Sequence, residues 1–389
     1  MKTFGLDEKV KILGEAAQYD LCGACGVTVP RKRNPQGGWI YPAVLPDGRT
    51  ANLLKVLLSN HCIHNCYYCA HREGKAGGSS TRFVPEELAR LFISLYQKGM
   101  VRGLFLSSAV DRNPFRTMED MLKTTEILRR RYRFPGYIHL KILPESTPDY
   151  IETALHLATR VSINLEAPGP GYLKAIAPQK NFENIWRKFI LLRDYSRRGL
   201  APRAGFTTQL VVGGSDESDR EIMQTISLLY QDFSMTRAYY SAFHPVPGTP
   251  LSEREPVSTW REHRLYQADF LLRRYGFQRE ELVFDGKGNL PVETDPKTLW
   301  ASKHPELFPL EVNTASYSLL LRIPGIGPVC AKRITRARKE TLLTTLESLQ
   351  KIGVRTGHAA PFLLLAGKRI QKPEQLSLFG KRAEFAATG

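Results

Sequence analysis

The sequence predicts an α/β fold with a parallel sheet, followed by a small all-α module. From residue 53 onward, strand-like apolar runs alternate with amphipathic helical segments, and this alternation favours a parallel sheet with right-handed crossovers. Near the carboxyl end, the turn Pro-Gly-Ile-Gly separates an apolar helical segment from a basic one. A chain of 389 residues is long enough for a large domain and a smaller second one.

The large domain is predicted to contain six strand-and-helix units. The first strand spans residues 53–58, and the others begin at Gly103, Tyr137, Arg160, Ala204 and Arg237. Between strands, Leu88, Leu91, Phe92 and Leu95 recur at helical spacing, and residues 182–192 repeat that pattern. The pattern alone leaves open whether the sheet closes part of a barrel or forms a doubly wound sheet.

An extension precedes the large domain. Residues 7–19 are predicted to form a short helix docked on that domain, and residues 30–50, rich in Pro, Gly and Arg, are predicted to be loop. The apolar positions at helical spacing are Val10, Leu13, Ala16 and Ala17. Cys22 and Cys25, in the sequence CGACG, form either a second metal site or a glycine-rich turn with two small buried side chains.

Three of the six cysteines, Cys62, Cys66 and Cys69, lie within eight residues. They follow the first predicted strand, and the loop that leaves a strand is where barrel enzymes carry their chemistry. Their spacing lets one loop wrap three thiolates around an iron-sulfur cluster, which leaves one iron of a four-iron cluster open. The alternative is a closed zinc site with His61 or His64 as the fourth ligand.

The pattern C-x3-C-x-aromatic-C, with Tyr68 as the aromatic residue, resembles the radical S-adenosylmethionine (SAM) superfamily. This resemblance implies a partial six-stranded barrel and a [4Fe–4S] cluster whose open iron is chelated by SAM. It further implies that SAM is cleaved reductively to a 5'-deoxyadenosyl radical, which abstracts hydrogen from a substrate. An electron donor such as flavodoxin or ferredoxin is therefore an expected partner.

The same resemblance suggests where SAM is held. Ser107 and Ser108 end the second strand, where related enzymes carry a Gly-Gly-Glu turn for the SAM amino group; this chain has SSAV instead. Ser162, Asn164 and Glu166 alternate along the fourth strand and are expected to share one face, with Glu166 at a ribose hydroxyl. The predicted cofactor-binding residues are Tyr68, Ser107, Ser108, Asn164, Glu166 and Gln209.

A formal net charge of +17 predicts a polyanionic partner, with nucleic acid as the first candidate. Residues 315–389 hold thirteen Lys and Arg against four Glu, so they alone carry +9. The first twenty residues lack an apolar signal core, and no apolar run approaches the length of a membrane span. We therefore expect a soluble cytoplasmic protein that binds nucleic acid and not a membrane.

The sequence LRIPGIGPVCAKRITRAR resembles the helix-hairpin-helix of nucleic-acid-binding proteins. Gly325 and Gly327 would form its hairpin, where backbone can approach a phosphate closely. Lys332, Arg333 and Arg336 would add charge without reading sequence. The downstream sequence LESLQKIGVRTGHAAPFLL looks like a degenerate second copy. The alternative is a packing hairpin without a ligand.

Over nearly its whole length, the chain resembles a bacterial family of DNA modification or repair radical SAM proteins. The segments that carry this resemblance are KVKILGEAAQYD, SNHCIHNCYYC, LFLSSAV, INLEAP and LRIPGIGP. Members are typically encoded beside a uracil-DNA-glycosylase-like protein, which the resemblance implies as a partner. The expected substrate is DNA. The alternatives are an RNA-modifying enzyme acting on tRNA or rRNA, and a metal-containing DNA-binding protein without turnover.

The predicted organisation has five parts: an extension at 1–50, a radical SAM partial barrel at 51–284, a linker at 285–312, a helix-hairpin-helix module at 313–370 and a flexible tail at 371–389.

The tail contains QLSLF, which resembles the pentapeptide by which bacterial repair proteins dock on the sliding clamp. Leu378 and Phe379 would enter an apolar pocket, and Gln375 would offer amide hydrogen bonds. The predicted partner-binding residues are Gln375, Leu376, Leu378 and Phe379. The alternative is that these side chains fold back onto the preceding module.

Overall fold

A computed structural model describes residues 4–17, 39–44, 50–73 and 79–370. These residues divide into two compact units. The described residues up to 269, together with 284–293, form the barrel unit, and residues 270–283, together with the described residues from 294 onward, form the C-terminal unit. No helix among the described residues is long and apolar enough to cross a membrane.

The sheet of the barrel unit has seven strands among the described residues, arranged in the order of the chain. They are β1 Ile40–Val44, β2 Thr50–Leu57, β3 Gly103–Ser107, β4 Tyr137–Lys141, β5 Arg160–Ser162, β6 Phe206–Val212 and β7 Met235–Ala242. β1 is antiparallel to β2, and every other neighbouring pair is parallel. A doubly wound sheet reverses its strand order at a switch point. The sequential order therefore confirms the partial six-stranded parallel barrel, with β1 added at its edge.

The helices before, between and after these strands are α1 Leu6–Ala16, α2 Pro85–Gln97, α3 Pro114–Glu126, α4 Pro148–Leu157, α5 Pro170–Ile176, α6 Phe182–Arg197, α7 Asp219–Asp232 and α8 Thr259–Arg274. Helices α2 to α7 connect the parallel strands, α1 precedes β1 and α8 follows β7. In α2, Leu88, Phe92 and Leu95 are buried at the predicted helical spacing, and each contributes about 1.5–3 kcal/mol of hydrophobic stabilisation. A π-helical turn, Ile127–Arg131, ends α3.

The extension contains the predicted helix, and it contains a strand within the segment predicted to be loop. Helix α1 buries the predicted apolar side chains against β2. A Cβ on Gly14 would lie 2.5 Å from Cβ of Trp39, so glycine lets the helix approach the chain that enters β1. The loop prediction was wrong for residues 40–44, because an edge strand tolerates Pro42, whose missing N–H is not needed there. Cys22 and Cys25 lie outside the described residues.

The C-terminal unit contains five complete α-helices among the described residues, and a small sheet. The helices are α9 Pro296–Ser302, α10 Tyr317–Leu320, α11 Pro328–Ala337, α12 Leu346–Lys351 and α13 Thr356–Ala359. The strands are β8 Leu310–Glu311, β9 Leu363–Leu365 and β10 Lys368–Arg369. The expected helical module is therefore confirmed, and three short strands accompany its helices. Ala366 and Gly367 both adopt positive φ and turn the chain in a tight hairpin between β9 and β10.

The segment 285–312, expected to be a linker, is folded over much of its length. Asp295 accepts hydrogen bonds from the amides of Lys297 and Thr298 and so caps α9. Pro296 occupies the first turn, where proline starts a helix and does not break it. Trp300 is buried in the same helix. Proline content was thus a misleading sign of a linker here.

Candidate functional site

The three cysteines line one cavity at the carboxyl ends of the parallel strands. Cys62, Cys66 and Cys69 share this cavity with residues that end β2, β3 and β4. Two backbone hydrogen bonds fix the cysteine loop: the amide of Ile63 donates to the Val110 carbonyl at 2.8 Å, and that of Tyr67 donates to the Ile176 carbonyl at 2.8 Å. The loop is therefore held at the cavity from two sides.

Backbone amides point at two of the thiols. The amide of His64 lies 3.4 Å from Cys62 Sγ, and that of His71 lies 3.4 Å from Cys69 Sγ. Such donors favour the thiolate, which is the form that binds metal. Burial opposes the effect of these amides. Burial and the neighbouring Cys66 together raise the pKa of Cys69 to about 12. Binding of a metal by these thiols therefore has to release protons.

Three thiols that line one cavity are a donor set that fits an iron–sulfur cluster. Within the ranges that the structure describes, no three His, Cys, Asp or Glu side chains are grouped closely enough to hold a single metal ion. A four-iron cluster makes no such demand, since each thiolate binds a different iron. The candidate zinc ligand His64 has its Nε2 2.7 Å from Glu145 Oε1, and Nδ1 of His61 lies 3.1 Å from Asp111 Oδ1.

Glu166 and Lys180 form a buried ion pair at the cavity, with Lys180 Nζ 2.8 Å from Glu166 Oε1. Their side chains are 5% and 9% exposed, respectively. Burial alone would lower the pKa of Lys180, but the Glu166 carboxylate and the nearby thiol of Cys66 outweigh it and hold that pKa above its ordinary value. Lys180 therefore keeps its positive charge at neutral pH.

The backbone of Glu166 is strained, with φ +68. A left-handed conformation in a residue other than glycine costs roughly 1–2 kcal/mol. Two hydrogen bonds to β6 hold it there: the Glu166 amide donates to the Gln209 carbonyl at 2.9 Å, and the Val211 amide donates to the Glu166 carbonyl at 2.8 Å. The carboxylate also accepts a hydrogen bond from Tyr68, whose pKa is raised by burial and by Glu166.

All six predicted cofactor-binding residues line the cavity: Tyr68, Ser107, Ser108, Asn164, Glu166 and Gln209. The Ser108 hydroxyl accepts from the Ser59 amide at 3.2 Å and donates to the Ala109 carbonyl at 2.6 Å, so it also serves the local backbone. Ser162, expected on the same face as Asn164 and Glu166, has its hydroxyl 2.9 Å from His139 Nε2. Strand β5, the fourth predicted strand, ends at Ser162, and the backbone of Glu166 is not in a strand conformation.

A glycine hairpin connects α10 to α11 in the C-terminal unit. Gly325 has φ +80, and a Cβ there would lie 2.6 Å from the Arg355 carbonyl oxygen, so only glycine fits. Gly353, with φ +91, turns the chain between α12 and α13, where the sequence indicated a degenerate second copy. The amide of Arg355 donates to the Gly325 carbonyl at 3.3 Å and joins the two hairpins.

The predicted cations of α11 divide between two roles. Lys332 and Arg336 are exposed and line a groove with Tyr317, Thr335 and Lys339. Arg333 differs, because its Nη1 donates to the Ile352 carbonyl at 3.1 Å and so ties α11 to the second hairpin. Sequence reasoning missed Lys339, which lies just after the end of α11.

A buried lysine supports the first hairpin from outside it. Lys297 of α9 is 7% exposed, and its Nζ donates to the Ile326 carbonyl at 2.5 Å. The same Nζ lies 4.7 Å from the centroid of the Tyr275 ring. The hydroxyl of Tyr275 in turn lies 3.1 Å from where a Cβ of Gly327 would be. No feature of the sequence pattern indicated this contact.

Comparison with known proteins bears on both units. Residues 56–229 match the model of the Radical SAM superfamily, and residues 309–354 match that of the helix-hairpin-helix motif. The barrel unit carries a radical SAM domain. The matched residues 56–229 include the three cysteines and every predicted cofactor-binding residue. The cofactors of this domain are a [4Fe–4S] cluster and SAM.

Individual relatives are distant. Threonylcarbamoyladenosine tRNA methylthiotransferase MtaB of Thermotoga maritima is 24% identical over 261 residues, which cover 65% of this chain and 56% of that protein. This chain thus spans a little over half the length of that relative. Methylornithine synthase PylB has a TM-score of 0.45 at 13% identity, covering 56% of this chain and 60% of that one. The hydrogenase maturase HydG of Carboxydothermus hydrogenoformans has a TM-score of 0.42 at 18% identity, covering 56% and 50%.

Proposed function

We propose that this chain is a radical SAM enzyme that modifies or repairs a nucleotide in DNA. The observation that carries the proposal is the combination, in one chain, of a radical SAM domain with a helix-hairpin-helix motif that presents exposed cations. The first element supplies radical chemistry, and the second binds phosphate backbones in other proteins. The net charge of +17 supports a polyanionic substrate.

The cavity residues divide the work of holding the cofactors. Cys62, Cys66 and Cys69 would bind three irons of the cluster. When bound, the cluster and SAM supply a 5'-deoxyadenosyl radical that abstracts a hydrogen atom. Glu166 would accept a hydrogen bond from a ribose hydroxyl, and Lys180 would hold that carboxylate in place through their ion pair. The protein thus binds and orients, while the cofactors perform the difficult step.

The hairpin would bind the phosphate backbone of the nucleic acid. The amino end of α11 follows Gly327 directly, and amides at a helix start favour an anion. Lys332, Arg336 and Lys339 add exposed charge on the same helix and just beyond it. Such contacts position the substrate without reading its sequence. Because an enzyme cavity cannot reach an atom inside stacked duplex, we expect a single-stranded or extruded-base substrate to be preferred.

RNA is the second candidate substrate, and one observation favours it: the curated relative is named as a tRNA methylthiotransferase. Backbone-binding motifs do not by themselves distinguish DNA from RNA. Mass spectrometry of nucleosides from genomic DNA and from total RNA, with and without the protein, separates the two. A modified nucleoside that depends on the protein and occurs only in RNA would replace DNA by RNA in the proposal.

Turnover separates the enzyme from a metal-containing binding protein. Anaerobically reconstituted protein should contain four-iron clusters and, once reduced, should convert SAM to 5'-deoxyadenosine. Changing Cys62, Cys66 and Cys69 to Ala should abolish both, because three thiolates of the cluster are then lost. Stoichiometric zinc without iron or sulfide after reconstitution would contradict the proposal.

We also propose partners for this enzyme. Cluster reduction requires an electron donor such as flavodoxin or ferredoxin. The family resemblance supports a uracil-DNA-glycosylase-like partner, which co-purification of the two proteins would test. The residues expected to bind the sliding clamp, Gln375, Leu376, Leu378 and Phe379, lie outside the described residues, and that partnership remains a prediction.

A further inference from the structure

Three segments of the barrel unit concentrate positive charge. They are residues 98–102, 130–136 and 197–205, which enter β3, β4 and β6, and they contain eight Lys and Arg but no Asp or Glu. All eight side chains are exposed. We call them the basic rim: Lys98, Arg102, Arg130, Arg131, Arg133, Arg197, Arg198 and Arg203.

The three segments lie at one end of the sheet, and the segment that enters β5 lies between the second and the third. The amide of Arg102 donates to the Asn52 carbonyl at 2.7 Å, and the Arg102 carbonyl lies 3.3 Å from where a Cβ of Gly136 would be. The amide of Ala204 donates to the Thr159 carbonyl at 2.8 Å. All these residues precede their strands, so the basic rim is at the amino ends of the strands. The thiols are at the carboxyl ends.

Helix dipoles explain only part of this charge. Cations are favoured at helix carboxyl ends, which accounts for Lys98 and Arg198 at the caps of α2 and α6. Arg102 and Arg203 lie beyond the helices and gain little from a dipole that acts within one turn. Helix α7 covers the same sheet and ends at the exposed acid Asp232.

Few of these cations are neutralised within the protein. Among the described residues, only Arg130 of the eight has a carboxylate partner, Glu126, whose oxygen is 3.0 Å away. The rim is also held in shape from inside by Arg129, which belongs to the π-helical turn. Its guanidinium donates to the carbonyls of Phe134 and Gly136 at 2.6 and 2.8 Å. The segment that presents Arg130 to Arg133 is therefore fixed before any partner binds.

We propose that the basic rim is a second surface that binds the backbone of the nucleic acid, separate from the hairpin. The inference rests on the proposed function. From β3 to β6 there are three strand spacings, ~14 Å in all. Duplex DNA carries roughly eight phosphate charges over such a length, which matches the eight cations of the rim.

Two variants of the full-length protein with equal net charge test the proposal. The rim variant is R102Q/R131Q/R203Q, with one change in each segment. The control is R90Q/K123Q/R187Q, which removes three exposed cations from helices α2, α3 and α6. Binding of a short DNA duplex and of an RNA hairpin is measured over a range of salt concentrations. Thermal melting and iron content confirm that both variants are folded.

The rim variant should bind more weakly, and the slope of log K against log salt should fall by about 2–3, since each lost phosphate contact removes about 0.9 from that slope on duplex DNA. The control should bind like wild type. Equal losses in both variants, or no loss in either, would overturn the rim proposal while leaving the proposed function standing. If wild type binds neither DNA nor RNA, the proposed function itself fails.

A crosslink identifies the partner directly. A photoreactive amino acid replacing Arg133 should crosslink to the nucleic acid, whereas the same group replacing Arg187 should not. Crosslinks from position 133 to an acidic protein in the presence of nucleic acid, and none to the nucleic acid, would show that the rim binds a protein and would refute the proposal.

Discussion

Replacing Lys297 with Met should change how the stability of the C-terminal unit depends on pH. Burial lowers the pKa of Lys297 from an ordinary 10.5 to about 7, with Asp295 opposing the shift and Arg322 adding to it. The ammonium lies against the Tyr275 ring and the Ile326 carbonyl, and neither supplies a full negative charge. Methionine has a similar length and does not titrate.

The sign of the effect follows from the direction of the shift. In the unfolded chain Lys297 keeps its proton up to about pH 10.5, whereas in the folded chain it loses it near pH 7. Between these values the unfolded state binds more protons, so stability rises with pH. One pKa unit corresponds to about 1.4 kcal/mol, so this residue should contribute about 2 kcal/mol more to stability at pH 9 than at pH 7.

The measurement is urea-induced unfolding of the full-length protein at pH 7 and pH 9. Hydrogen exchange of peptides across α10 and α11 reports the C-terminal unit. Lys303→Met is the matched control, because Lys303 lies at the end of the same helix and is exposed. The free energy of unfolding of wild type minus that of Lys297→Met should rise by about 2 kcal/mol between the two pH values. An unchanged difference, or an equal rise for Lys303→Met, would refute this account.

Three further predictions concern the ion pair, the hairpin and the tail. Glu166→Gln should destabilise the barrel unit by about 3–5 kcal/mol in thermal or urea unfolding, because it leaves the buried Lys180 ammonium without its carboxylate. Adding Lys180→Met to this variant should restore stability, but it should not restore SAM binding measured by calorimetry. Gly325→Ala should weaken nucleic-acid binding at least tenfold, since a Cβ would meet the Arg355 carbonyl at 2.6 Å, and Gly357→Ala, where a Cβ meets nothing, is its control. A peptide spanning residues 372–382 should bind purified sliding clamp at about micromolar Kd, and changing Leu378 and Phe379 to Ala should abolish binding; no binding by peptide and full-length protein alike would end that proposal.

The cysteine loop could be predicted because its ligands are close in the sequence. Cys62, Cys66 and Cys69 need one loop to bring them together, and the strand before them fixes the end of the sheet at which that loop lies. Lys180 is different. It lies in the turn between α5 and α6, and no pattern in the sequence connects it with Glu166.

Other differences between the sequence-based expectations and the structure arise where a side chain could contact either a ligand or the protein itself. Arg333 and Arg336 lie on one basic helix, and the sequence assigned both to nucleic acid. The second hairpin brings the Ile352 carbonyl close to Arg333, whose Nη1 donates a hydrogen bond to it although the side chain stays exposed. Ser162 was expected to share a face with Asn164 and Glu166, and the sequence did not indicate that its hydroxyl lies 2.9 Å from His139 Nε2 on the neighbouring strand. Both outcomes depend on contacts between elements that are distant in the chain.

Two buried lysines show that the group facing the ammonium, and not burial alone, decides whether the pKa of a lysine rises or falls. Lys180 and Lys297 are similarly buried, at 9% and 7% exposed. Lys180 faces a carboxylate at 2.8 Å, and its pKa is raised; Lys297 faces a carbonyl at 2.5 Å, and its pKa falls to about 7. A carboxylate supplies a full charge against the desolvation that burial imposes, whereas a carbonyl dipole supplies only part of one. The cavity therefore holds a permanent cation beside its cofactors, while the hairpin rests on an amine that titrates near neutral pH.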